Sequence, residues 1–144
     1  MRMTFNTADN KAIASKFFEL ISEGNVEELC TMITPDWKMH IGLSSFEIPS
    51  GPEGLRKLFD SFGNIEQQWI IEDVLAEGNK VVVRAINKCN QEDFFGIPSY
   101  GRMQTFTATF IHYIEDGKIK ETWRNADDLG RVLQLGASIV PLSE

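Results

Sequence analysis

The sequence predicts an α+β fold in which helices come first, an antiparallel meander follows and a short helix closes the chain. Three observations predict it. Apolar residues recur at helical spacing early in the chain. From "QQWIIEDV" onward the apolar period becomes two. Two turn signals, Glu77-Gly78-Asn79 and the stronger Asp116-Gly117, each join a pair of strand-like runs. A curved sheet of roughly four to six long strands, with helices over one side, would enclose a pocket between the layers.

Each element has its own signals. Thr7 or Asp9 can cap a first helix, along which Ile13, Phe17, Leu20 and Ile21 fall at helical spacing until Gly24 ends it. Asn25 opens a short second helix, with Val26, Leu29 and Ile33 on one face, ending before Pro35. "DWKMHI" reads as a strand, with Trp37, Met39 and Ile41 on one side and Lys38 and His40 on the other. In "SGPEGLRKLFDSF", Ser50 or Gly51 can cap a third helix and Pro52 suits its first turn. Leu55, Leu58, Phe59 and Phe62 make its apolar face. "QQWIIEDVLAEGNKVVVRAINKC" and "RMQTFTATFIHYIEDGKIKETW" each read as two strands. The loop "NQEDFFGIPSYG" lies between them. "DDLGRVLQLG" reads as the last helix, with Leu129, Val132 and Leu133 on one face and Gly136 as its stop. No repeat, low-complexity tract or linker divides residues 1–144, so one domain is expected.

Composition narrows the partners. The chain has 144 residues and a formal net charge of −7. That charge repels phosphate backbones and anionic membranes, so neither nucleic acid nor membrane is an expected partner. The basic residues are scattered, and Lys118 and Lys120, flanking Ile119, read as a solvated face. No apolar run approaches the roughly 18 residues of a bilayer span, and "MRMTFNTADN" does not read as a signal peptide. Cys30 and Cys89 form no Cys-x-x-Cys pair, which fits a reduced, cytoplasmic setting, although a single bridge stays open. His40 and His112 are too isolated to suggest a metal site, and no phosphate-binding loop motif occurs.

Five phrases, in order, carry a resemblance to a known family: "GPEGLRKLFDSF", "IEDVLAEGNKVVVRA", "FFGIPSYGR", "IEDGKIKETW" and "ADDLGRVLQLGA". Together they resemble the SnoaL-like polyketide cyclases of the nuclear transport factor 2-like superfamily, most clearly over residues 35–137. The resemblance implies a cone-shaped α+β fold and a homodimer with one apolar pocket per subunit. It also implies an aspartate that acts as acid and base in an intramolecular aldol closure, without metal or cofactor. Asp127 matches the aspartate of the family's tryptophan–aspartate–Leu-Gly stretch, Trp123 its tryptophan, and His40 the histidine near the end of the first strand. The chain departs from the family pattern at Asn90, where a histidine is frequent, at Ser99-Tyr100-Gly101 in place of Pro-Thr-Gly, and at Arg124 in place of an acidic or polar residue.

Asp127 and Asp128 stand where the last strand meets the last helix and have two readings. An aspartate at a helix start accepts bonds from free backbone amides and sits at the positive end of the helix dipole. Asn125 can be the cap with Asp128 as its partner three residues on, or Asp127 can itself be the cap. The chemical reading instead needs a desolvated carboxyl that is base and acid by turns. Trp123 or Asn125, sharing strand parity with Asp127, can then donate to an enolate oxygen. His40 is the second candidate, because an imidazole suits proton transfer if it faces the pocket. His112, beside Tyr113, reads as structural. Arg84 reads as a buried or half-buried charge needing Glu72, Asp73 or Glu121. Trp37, Phe46, Phe106, Phe110 and Trp123 read mostly as core; Phe94, Phe95 and Tyr100, in a loop, can line or cover a pocket.

The expected function is therefore cofactor-free acid/base catalysis, of cyclase or isomerase type, on a small apolar carbonyl compound. Asp127 and His40 are its candidate catalytic residues, and Trp37, Phe94, Phe95, Tyr100, Trp123 and Asn125 its candidate ligand contacts. Two other branches of the superfamily fit less well. The ketosteroid-isomerase branch uses a tyrosine in the first helix, and this chain's tyrosines are Tyr100 and Tyr113. The epoxide-hydrolase branch needs an aspartate two residues from its arginine, where this chain has Ile86 after Arg84. The competing class is a non-catalytic ligand-binding or dimerisation module, with a weaker third in an accessory subunit that docks through its sheet face. A carboxyl and a donor converging inside one pocket discriminate the first two.

Overall fold

Asn6 caps the first helix: its side-chain oxygen accepts from the Asp9 amide at 3.0 Å. The computed structural model describes residues 6–42 and 47–143. Phe46 of the aromatic set and the residues before Asn6 lie outside them. The cap falls one residue earlier than Thr7, because Thr7 is already helical in α1, Thr7–Glu23. Gly24 ends α1 in the left-handed conformation, at φ 71°. Asn25 caps α2, Val26–Thr31, accepting from the Glu28 amide at 3.2 Å. After β1, Ile33–His40, comes α3, Gly51–Phe62, with Pro52 in its first turn.

The meander follows as β2, Ile65–Glu77, and β3, Lys80–Gln91, then β6, Gln104–Glu115, and β7, Lys118–Ala126. Asp116 and Gly117 both take positive φ, at 49° and 78°, as a tight two-residue hairpin turn requires. The loop between the pairs contains a small hairpin of its own, β4, Asp93–Phe94, and β5, Ile97–Pro98. The chain ends in α4, Asp128–Gln134.

The main sheet has five strands in the order β1-β7-β6-β3-β2. It is mixed rather than wholly antiparallel, because β1 runs parallel to β7. No hairpin ties these two strands, so nothing local fixes their relative sense. Alternate residues of the sheet face the helices, and the parity slips at the irregularity between Ile71 and Asp73 in β2. Val81, Val83 and Ala85 of β3, Phe110 of β6 and Ile119 of β7 pack there against Phe17 and Phe18 of α1 and Leu29 of α2. Trp37 is fully buried in the same core, its indole donating to Thr122 Oγ1 at 3.1 Å. His112 Nδ1 lies 2.8 Å from that hydroxyl, and burial lowers its pKa to about 3. It is a core residue, as its sequence setting predicts. Arg84 pairs with Asp73 at 2.7 Å, but on the exposed face: both side chains are more than half accessible, so the expected burial is not found. Cys30 and Cys89 are both free thiols. No helix of the described residues is long and apolar enough to cross a membrane.

Candidate active site

The sheet and α3 do not close on each other completely. Between them lies a cavity of about 320 Å³. Leu55, Leu58, Phe59 and Phe62, the face of α3 legible in sequence, form one wall. Met39 and Ile41, Trp69, Phe106 and Phe110 from the sheet form the other. Phe17 and Ile21 of α1 lie along it, and the turn of the small hairpin brings Phe94, Phe95 and Gly96 to it.

Few polar groups enter this lining. Gln67, Asn87 and Gln91 come from the inward parity of β2 and β3, and Asn87 Nδ2 donates to Gln67 Oε1 at 3.1 Å. Trp69 Nε1 and Asn87 Oδ1, on facing residues of β2 and β3, are buried without a partner among the described residues. Apart from the exposed Asp93 of β4 at the cavity edge, the charges come from the β7–α4 junction. Arg124 donates from Nη1 to Asp128 Oδ2 at 2.9 Å and from Nη2 to Oδ1 at 2.7 Å. The two side chains are only 13% and 16% exposed, and both line the cavity. Arg131, one helical turn beyond Asp128, lines it as well.

Asp127 is a helix cap. Its Oδ1 accepts from the Gly130 amide at 2.8 Å, its own amide donates to Thr107 O at 2.9 Å, and the residue is exposed outside the cavity lining. Asp128, the neighbour that the sequence favoured as a cap partner while leaving its side open, is the carboxylate on the cavity wall. The reason is parity. Beyond the register shift near the start of β7, the even residues, Thr122, Arg124 and Ala126, turn toward the helices, while Trp123 and Asn125 are exposed on the other face. The chain then leaves the strand, so the cap residue points outward and the first helical residue turns back in.

His40 lies on that outer face with Trp123, its register partner. The two rings stack at 3.7 Å, and His40 Nε2 lies 2.6 Å from Glu121 Oε1. Neither His40, Trp123 nor Asn125 lines the cavity, and Trp37 is a core residue outside its lining. Tyr100 is 82% exposed and borders a second, shallower depression with Asn64, Glu92 and Pro98. Of the candidate catalytic and ligand-contact residues named from sequence, Phe94 and Phe95 are those the fold brings to the cavity.

The comparisons with known proteins agree with this architecture. The model of the SnoaL-like polyketide cyclase family matches residues 11–135. The chain belongs to the SnoaL-like polyketide cyclase family. TsrD from Streptomyces laurentii superposes with a TM-score of 0.81 at 25% identity, covering 94% of this chain and 100% of that one. IdmH from Streptomyces antibioticus does so at 0.74 and 23%, covering 89% and 99%. An epoxide hydrolase of the LEH-like type from M. tuberculosis, at 15% identity and 0.71, covering 90% of each chain, shares the fold. No curated protein matches the chain significantly.

Proposed function

We propose that the protein is a cofactor-free acid/base catalyst of the polyketide-cyclase type, acting on a flat apolar carbonyl compound held in the cavity, with Asp128 as the proton carrier. One observation carries this reading: a carboxylate and a guanidinium converge, little exposed, on the wall of a cavity otherwise lined mainly by aromatic and aliphatic side chains. In such a setting a carboxylate competes for a carbon-bound proton without a shell of water. Asp128 takes the proton from a carbon between two carbonyls. The resulting enolate carbon attacks a third, more distant carbonyl carbon of the same molecule, a C–C bond forms, and that carbonyl's π electron pair moves to its oxygen. That alkoxide recovers the proton from Asp128, so the product is an isomer of the substrate. Arg124, which holds both carboxylate oxygens, fixes the base and puts positive charge beside the enolate.

A second reading has its own support. Asp127 is engaged as a cap and His40 in a pair on the outer face, so a module that binds a ligand without converting it uses the same cavity. Proton exchange separates the two. Flat aromatic 1,3-dicarbonyl compounds are incubated with the protein in D2O, and loss of the α-proton signal is followed by NMR. Enzyme-dependent exchange that falls about 100-fold or more in Asp128→Asn, and little in Asp127→Asn, supports catalysis. Binding without exchange across the panel selects the second reading. We further propose that two copies associate as a homodimer.

A further inference from the structure

Of the charged side chains that line the cavity, Arg131 is buried without an ion-pair partner among the described residues. Arg124 and Asp128 satisfy each other. Arg131 is 5% exposed and has only neutral partners. Its Nε donates to Gln104 Oε1 at 2.9 Å, and its Nη2 to Cys89 Sγ at 3.5 Å and to Gln91 Oε1. Its Cζ lies over the Phe94 ring, 3.7 Å from the centre, and over the Phe106 ring at 4.8 Å. Cys89 does not supply the missing charge. Burial pushes its thiol pKa up, and Sγ is 3.8 Å from Gln104 Oε1, to which it donates. Asp93, at the cavity edge, is exposed and accepts from the Gly96 amide at 3.1 Å.

A guanidinium is the cation best suited to such a place, because it is weakly hydrated and its faces stack on aromatic rings. Even so, a buried charge without a counter-ion is costly. Desolvation lowers the Arg131 pKa from its ordinary value, more than Cys89 and then Asp128 raise it, and the neighbouring Arg124 charge adds to the lowering. Nη1, with two hydrogens, donates to nothing among the described residues.

We propose that the ligand of this cavity carries an ionised carboxylate on its flat apolar framework, and that Arg131 binds that carboxylate through Nη1. The proposal rests on the reading of the cavity as a ligand site, and it specifies the ligand class. The ring system lies among Leu58, Phe59, Trp69 and Phe110, and the carboxylate sits beneath α4. Arg131 is thus a specificity residue, distinct from the Arg124–Asp128 pair that handles the proton.

The test is a calorimetric titration near neutral pH with anthraquinone-2-carboxylate and its methyl ester. These share one ring system and differ in charge. A charge-assisted hydrogen bond corresponds to a preference of about 10-fold or more for the acid, which is the expected result for the wild type. Arg131→Met is expected to bind acid and ester alike, with ester affinity near wild type, and Arg131→Lys to keep part of the preference. Equal wild-type affinities overturn the proposal and leave the cavity-ligand reading standing. A preference that survives in Arg131→Met, or a parallel loss of both ligands, also overturns it. A wild type that takes neither compound overturns both. The wild-type comparison and Arg131→Lys decide the matter should Arg131→Met fail to fold.

Discussion

Two adjacent aspartates with the same side chain do different work because one precedes a helix and the other begins it. Asp127 holds the Gly130 amide, so Asp127→Ala is expected to lower stability by about 1 kcal/mol, read as the urea midpoint, with ligand binding unchanged. Gly130 gives an independent check. A Cβ there would stand 2.2 Å from Asp127 Oδ2, so Gly130→Ala must displace the cap. The double substitution is then expected to cost less than the two single losses added together, since both remove one interaction. His112 makes a prediction in pH. Its folded pKa, about 3, lies below the unfolded value of about 6.5. The unfolded chain therefore takes up the proton first. The stability from this neutral imidazole is complete above about pH 6.5 and is lost as pH falls toward 3, with a slope approaching 1.4 kcal/mol per unit, roughly. Denaturation across that range should be steeper in pH for the wild type than for His112→Gln, because the carboxylates common to both cancel in the comparison.

At the scale of elements, α3 is the wall most dependent on close approach. Gly54 abuts the Pro49 carbonyl, where an added Cβ would lie 1.7 Å from the oxygen. Gly54→Ala is expected to push α3 outward, costing about 1–3 kcal/mol in thermal or urea unfolding, and to weaken ligand binding, because α3 supplies Leu55, Leu58, Phe59 and Phe62. A wild-type midpoint would refute that packing. This wall was legible in sequence: a helical stripe of apolar residues after Ser50 and Pro52 needs no knowledge of its partner. The meander was equally legible, since Asp116-Gly117 fixes a hairpin locally. The parallel pairing of β1 with β7 was not, because its partners are far apart in sequence. Nor was the inner face of α4. Its apolar stripe suggested Leu129 and Leu133, which are exposed, whereas Arg131 and Leu135 are buried. Charge on that face is tolerated because Arg124 arrives from β7 and Gln91 and Gln104 from β3 and β6, and periodicity within one helix carries nothing about them. Asn87 and Gln91 were the available signal: amides on the buried parity of β3, after the apolar Val81, Val83 and Ala85, mark a wall that is not simply core. Trp123, Asn125 and Asp127 do share one side of the chain, but it is the outer one, because Thr122, Arg124 and Ala126 take the inward positions.

For the whole molecule, the two sides of the sheet pose different problems. The helix side is filled or encloses the cavity. The other side presents Trp123, 43% exposed beneath the stacked His40 ring; Leu129 and Leu133 of α4 are exposed as well. Large apolar groups left on a surface favour association, and the expected homodimer would bury Trp123. Two copies each bearing a formal charge of −7 also repel one another. Screening by salt weakens that repulsion and leaves apolar burial largely intact. Association is thus expected to strengthen as salt rises, whereas the acid preference at Arg131 is expected to shrink, because there salt screens an attraction. Light scattering after size exclusion should give twice the chain mass at moderate salt. Trp123→Glu, which adds charge where apolar surface was to be covered, should shift the protein toward the monomer, with ester binding in the cavity unaffected. A wild type that stays monomeric at tens of micromolar across the salt range would assign the exposed Trp123 face to water and leave each cavity to a single chain.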